Sequence, residues 1–180
     1  MRRFAAAVVL SAVLGIVVAG CGGSSPEEEW AGSVCSDVGD WKSQVQKASD
    51  DVKTQLQSPQ AGTLAAIDAD VRSAVSATEQ VATKLKATKP PDTDAGTHAK
   101  QQIDSLASQL DTTVTEAKQT LDSVPEGASL TETVQKLAPL VPDLSSLLAS
   151  ASSTLSSVQS SASEIKDGFE KADSCDQFQQ

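Results

Sequence analysis

The sequence predicts an all-α protein, an antiparallel up-down four-helix bundle with a short extra helical segment before the last helix. Apolar residues recur in steps of three and four along four long segments, so each segment carries one apolar stripe. Turns bearing proline or glycine separate those segments, as the short connections of such a bundle require. Aromatic residues make up only 3% of the 180-residue chain, and tyrosine is absent. The core must then come from Val, Leu, Ile and Ala, which suits close helix packing better than a β-sandwich.

The first helix is expected over about Val34 to Gln57, with Val34, Val38, Trp41, Val45, Ala48, Val52 and Leu56 in one stripe. Ser58-Pro59 ends it. The second, about Thr63 to Thr88, aligns Leu64, Ile67, Val71, Val75, Thr78, Val81 and Leu85. Pro90-Pro91 stops it, because a prolyl ring disfavours helix in the residue before it. The third, about Asp94 to Val124, carries Ile103, Leu106, Leu110, Val114 and Leu121, and Pro125 and Gly127 end it. Ser129 and Glu132 make a capping-box pattern for the short segment, Leu130 to about Ala138. Pro139 and Pro142 break that segment. The last helix then runs from Pro142-Asp143 to about Ser174 through Leu144, Leu148, Leu155, Val158, Ile165, Phe169 and Ala172. Its opposite face is a solvated serine run.

The N-terminus has a different character. Arg2 and Arg3 precede an apolar run, Phe4 to Ala19, that is slightly short for a permanent bilayer span. The run closes on Val18-Ala19-Gly20-Cys21, whose slim residues suit a peptidase cutting just before the cysteine. This resembles a bacterial lipoprotein signal. The resemblance implies residues 1–20 as the signal peptide, lipidation of Cys21 by diacylglyceryl and palmitate-type chains, and a protein anchored on the outer face of the cell membrane. Two acyl chains suffice for stable anchoring. Residues 21–33 then read as a lipid-tethered flexible linker, Gly-Gly-Ser-Ser-Pro-Glu-Glu-Glu at its centre, and residues 34–180 as the helical domain. A competing signal lies in the linker: Ser25 as N-cap, Pro26 at the first helical position and Glu28 three residues on, with Gly32 as the weak point of any helix there.

Loss of residues 1–20 removes two of the 14 basic residues and none of the 24 acidic ones, leaving a net charge of −12. A chain this acidic, without a basic cluster, argues against nucleic acid and against broad contact with anionic lipid. With Cys21 given to lipid, Cys35 and Cys175 are the only pair, and in an exported protein such a pair is expected as a disulfide. A two-thiol metal site lacks partners, since His98 is the sole histidine, and the Cys-x-x-Cys spacing of a redox pair is missing. The bundle agrees, because four alternating directions bring the end of the last helix beside the start of the first. Trp41 lies six residues inside Cys35 and Phe169 six inside Cys175. At about 1.5 Å per residue, both should sit about 9 Å from the bridge and pack together as a bulky layer of the core.

No catalytic residue, cofactor site or metal site emerges. His98, near the start of the third helix, reads as a solvated residue, and no serine-hydrolase, phosphate-loop or EF-hand spacing is present. The carboxylates Glu27–Glu29, Asp50-Asp51, Asp68/Asp70, Asp92/Asp94 and Asp173/Asp176 read first as a solubilising surface and second as weak cation sites. Composition and the two bracketing cysteines over residues 34–175 also resemble actinobacterial helical-bundle lipoproteins; that resemblance supplies no functional residue. The leading expectation is a non-catalytic interaction or scaffold module engaging an envelope protein or polymer. The alternative is a binding protein for a small apolar or amphiphilic ligand held between the helices. The locked end of the bundle, with the loop Lys89 to Gly96, should face the membrane, and Ser58-Pro59 with Pro139–Pro142 should point outward.

Overall fold

The computed structural model describes residues 23–125 and 127–178; the signal segment 1–20 and Cys21 lie outside the described residues. All described secondary structure is helical. It comprises α1 (Pro26–Gln57), α2 (Thr63–Ala87), α3 (Asp94–Asp122), α4 (Leu130–Leu137), α5 (Leu140–Gln159), α6 (Ser163–Lys171) and a closing 3-10 helix, Asp173–Phe178.

The expected linker needs correction, because residues 26–33 belong to α1. Ser25 Oγ accepts from the Glu28 N–H at 3.2 Å, Pro26 needs no partner for an N–H it lacks, and Glu27 to Glu29 offset the positive end of the helix dipole. Packing then outweighs the glycine. A Cβ on Gly32 would lie 3.8 Å from both Ala172 and Ser174, and the Ser174 hydroxyl donates to the Gly32 carbonyl at 2.9 Å. Trp30 and Ala31, expected in the tether, are buried.

The single last helix is corrected too. It is broken between α5 and α6, and its expected end is a 3-10 helix. Around the break, the Ser160 hydroxyl donates to the Ser156 carbonyl and the Ser161 hydroxyl to the Val158 carbonyl, at 3.0 and 2.7 Å. Such bonds let serine compete with the helical ladder, and Ala162 turns extended to start α6 anew. The break has a packing consequence: α5 leans mainly on α3, whereas α6 crosses to α1.

Cross-helix bonds fix the direction of the first three helices. Lys84 of α2 donates to Asp37 near the start of α1 at 2.8 Å, and Gln55 near the end of α1 donates to Asp70 at 2.7 Å. Glu79 pairs with Lys118, and the Lys100 ammonium donates to the Lys86 carbonyl, so α3 reverses along α2. The exposed ion pairs among these set register more than stability. Inside, the Trp41 indole N–H donates to Thr78 Oγ at 2.9 Å, and that hydroxyl donates to the Ala74 carbonyl at 2.7 Å. Both polar groups are thereby buried at no loss of hydrogen bonding.

The disulfide Cys35–Cys175 forms, with Cα atoms 5.1 Å apart and both residues buried. Trp30 meets Phe169 edge-on at 6.0 Å between centroids, while Trp41 shares the same buried cluster and directs its indole to Thr78. The expected common height of Trp41 and Phe169 assumed helix through to Cys175. Instead the chain reverses at Ala172 and the 3-10 helix climbs back along α1. Gly168 accordingly lies against Glu27, Cys175 against Ala31, and the Phe178 ring under the Lys42 ammonium.

Candidate functional site

The buried side chains form two clusters, and a cleft of about 730 Å³ opens where they fail to join. Val45, Ala48, Val52 and Leu56 of α1 form one wall, and Ile67, Val71 and Ala74 of α2 the floor. Val134, Leu137 and Ala138 of α4 with Leu140, Leu144 and Leu148 of α5 form the other wall. The cause lies in the α4–α5 elbow. The expected break at Pro142 does not occur: Pro142 sits in the first turn of α5, where its missing N–H costs no helical bond, and α4 and α5 are separated at Ala138 and Pro139 alone. The elbow carries Leu137 and Leu140 into the cluster with Ile67, Val75, Val114, Ala117 and Leu121. The far half of the α1 stripe packs on α2 but is covered only slightly by α5.

The unfinished burial is visible residue by residue. Val52, Val71, Leu144 and Leu148 are only partly buried, and all four line the cleft. Leu56, 39% exposed, is the sole large apolar side chain open to solvent among the described residues, and it stands at one end of the cleft. Gln46, Ser49, Asp50, Lys53 and Ser145 supply a polar rim, on which Lys53 pairs with Asp50 at 3.1 Å. No aromatic side chain lines the space. Arg72 lies outside the rim, its guanidinium held further above its ordinary value by the hydrogen bond to Asp68.

The α4 wall starts at a capping box. The Ser129 amide and hydroxyl both donate to Glu132 Oε2, at 2.9 and 2.7 Å, and the Glu132 N–H donates back to Ser129 Oγ at 3.3 Å. The backbone bond first, and the hydroxyl bond second, hold the Glu132 carboxyl below its ordinary value. A carboxyl lowered by folding stabilises fully above the unfolded value and loses that contribution as pH falls through the folded one. Exchange of the Thr133 to Leu137 amides, corrected for intrinsic rate, should therefore accelerate on acidification through that window. Glu132→Ala should flatten this dependence; native α4 protection that ignores pH would remove the capping box from the account.

Of the carboxylates singled out in the sequence, Asp50 borders the cleft; the other singled-out residues fall elsewhere. Cys35, Cys175 and Phe169 hold the α1–α6 end together, Trp41 joins α1 to α2, and lipidation at Cys21 lies outside the described residues. Asp50, Asp51 and Asp68 each pair with a nearby cation, to Lys53, Lys47 and Arg72. His98 is exposed on the first turns of α3. Among the described residues, no three His, Cys, Asp or Glu side chains gather as a metal site would need, and no helix is long and apolar enough to cross a membrane. The sequence does not show the cleft: it places Val45, Ala48, Val52 and Leu56, and Leu144 and Leu148, in core stripes. The signal it does carry is a proline pair between two apolar segments, in a core poor in large side chains. Comparison with protein-family models, with curated proteins and with solved structures found no match to this chain.

Proposed function

We propose that the protein is a lipid-anchored, extracytoplasmic, non-catalytic binding protein that holds a small apolar or amphiphilic ligand in the cleft between α1, α2, α4 and α5. The observation that carries this reading is the apolar cleft of about 730 Å³, within the size range of ligand sites. Its partly buried valines and leucines leave apolar surface in water, which a ligand of matching chemistry would cover. The anchor belongs to the same proposal: Val18-Ala19-Gly20-Cys21 supports a lipid on Cys21 and a position on the outer face of the cell membrane. So does topology, with α5 and α6 together serving as the fourth limb of an up-down bundle.

Along α1, Leu56 lies 21 residues beyond Cys35, about 31 Å from the disulfide end at 1.5 Å per residue. The cleft would thus stand outward from the tethered end. Native mass measurement on protein recovered from its own membrane tests the reading. Stoichiometric small-molecule mass beyond the covalent anchor is the expected result. A stoichiometric protein partner with an empty cleft would instead establish the interaction or scaffold role.

A further inference from the structure

We infer that the cleft takes an unbranched alkyl chain lying along α1, with its polar head left in solvent. This rests on the binding-protein reading and narrows it to one ligand chemistry. Two rows of aliphatic side chains border the space: Val45, Val52 and Leu56 on α1, and Leu140, Leu144 and Leu148 on α5. The α1 row spans 11 residues, about 16 Å of helix. A staggered chain with C–C bonds of about 1.5 Å advances roughly 1.3 Å per carbon, so about 12 carbons run the length of the row.

Other occupants lack what they need here. Without an aromatic side chain in the lining, a planar ring, a sugar face or a nucleobase finds no stacking surface. The buried polar atoms without a partner among the described residues, Trp30 Nε1 and Gln55 Oε1, do not line the cleft, so no unsatisfied group waits inside it for a polar ligand. Asp50 and Lys53 neutralise each other on the rim, which offers no uncompensated charge to a head of either sign. A straight hydrocarbon chain requires none of these features and matches the walls.

Calorimetric titration of the mature chain with monomeric fatty acids of 8 to 16 carbons tests the inference, alongside an alkyl-trimethylammonium of equal length and a sterol. Affinity should rise about 4-fold per methylene up to about 12 carbons and then flatten. The anionic and cationic heads should bind alike, and the sterol weakly. Leu144→Asp should abolish chain binding; should that variant fail to fold, Leu56→Asp, at a position already exposed, should still weaken it. Uptake of phosphatidylcholine from vesicles would identify a diacyl lipid as the source of the chain, and binding of free fatty acid alone a monoacyl amphiphile. Equal or tighter binding of the sterol, or affinity independent of chain length, would overturn the alkyl assignment while leaving apolar binding in place. Failure of every apolar probe would overturn both.

Discussion

Replacing Cys35 and Cys175 together by serine is expected to cost about 5 kcal/mol of folding stability, the loop-entropy limit for a bridge that closes nearly the whole domain. The two cysteines are 140 residues apart in sequence, so the cross-link removes long-range freedom from the unfolded chain. Both are buried in the main cluster, which protects the bond from exchange. Other contacts at this end, chiefly Trp30 on Phe169 and the Ser174 bond to Gly32, should hold α6 near α1 without the bridge. Calorimetric unfolding of the double variant should then show a cooperative transition lowered by roughly 10–20 °C for a domain of this size. A shift of only a few degrees would mean that the unfolded chain is already confined by other means.

The second large effect concerns Trp41. Trp41→Ala should cost about 3–5 kcal/mol, since it empties the largest fully buried side chain of the core. The finer comparison is between Thr78→Val and Trp41→Phe. Thr78→Val strands the buried indole N–H, for a cost of about 1–3 kcal/mol. Trp41→Phe removes the donor while Thr78 keeps its bond to the Ala74 carbonyl, so the hydrogen-bond loss is smaller. Combined, Trp41→Phe with Thr78→Val should be less destabilising than the sum of the two. Denaturant titrations of the three variants check this, and strict additivity would mean that the Trp41–Thr78 bond contributes nothing net.

Helix positions were legible wherever a stripe met a chemical stop. Ser58-Pro59, Pro90-Pro91 and the Ser129/Glu132 capping box each mark an observed boundary within a residue or two. The cysteine pairing was legible because only two thiols remained once Cys21 was set aside. What the sequence concealed depends on tertiary contact. Gly32 argues against helix by propensity, yet it packs against Ala172 and Ser174 inside an α1 that starts at the Ser25 cap. The serines at 160 and 161 look like the rest of a solvated face until their hydroxyls turn to the backbone and break the helix. The cleft was hidden for a related reason. Periodicity shows which side chains face inward but not whether a neighbour arrives to cover them, and at Val52, Leu56 and Leu144 none fully does.

The central claim is that the cleft is a ligand site. It is tested most directly by methyl NMR of the mature chain with a nitroxide-labelled fatty acid. Paramagnetic broadening should centre on the methyls of Val52, Val71, Leu137, Leu144 and Leu148, which border the cleft, with those of Leu85 and Ile103 untouched in the closed core. Broadening centred elsewhere, or spread evenly over the surface, would contradict it.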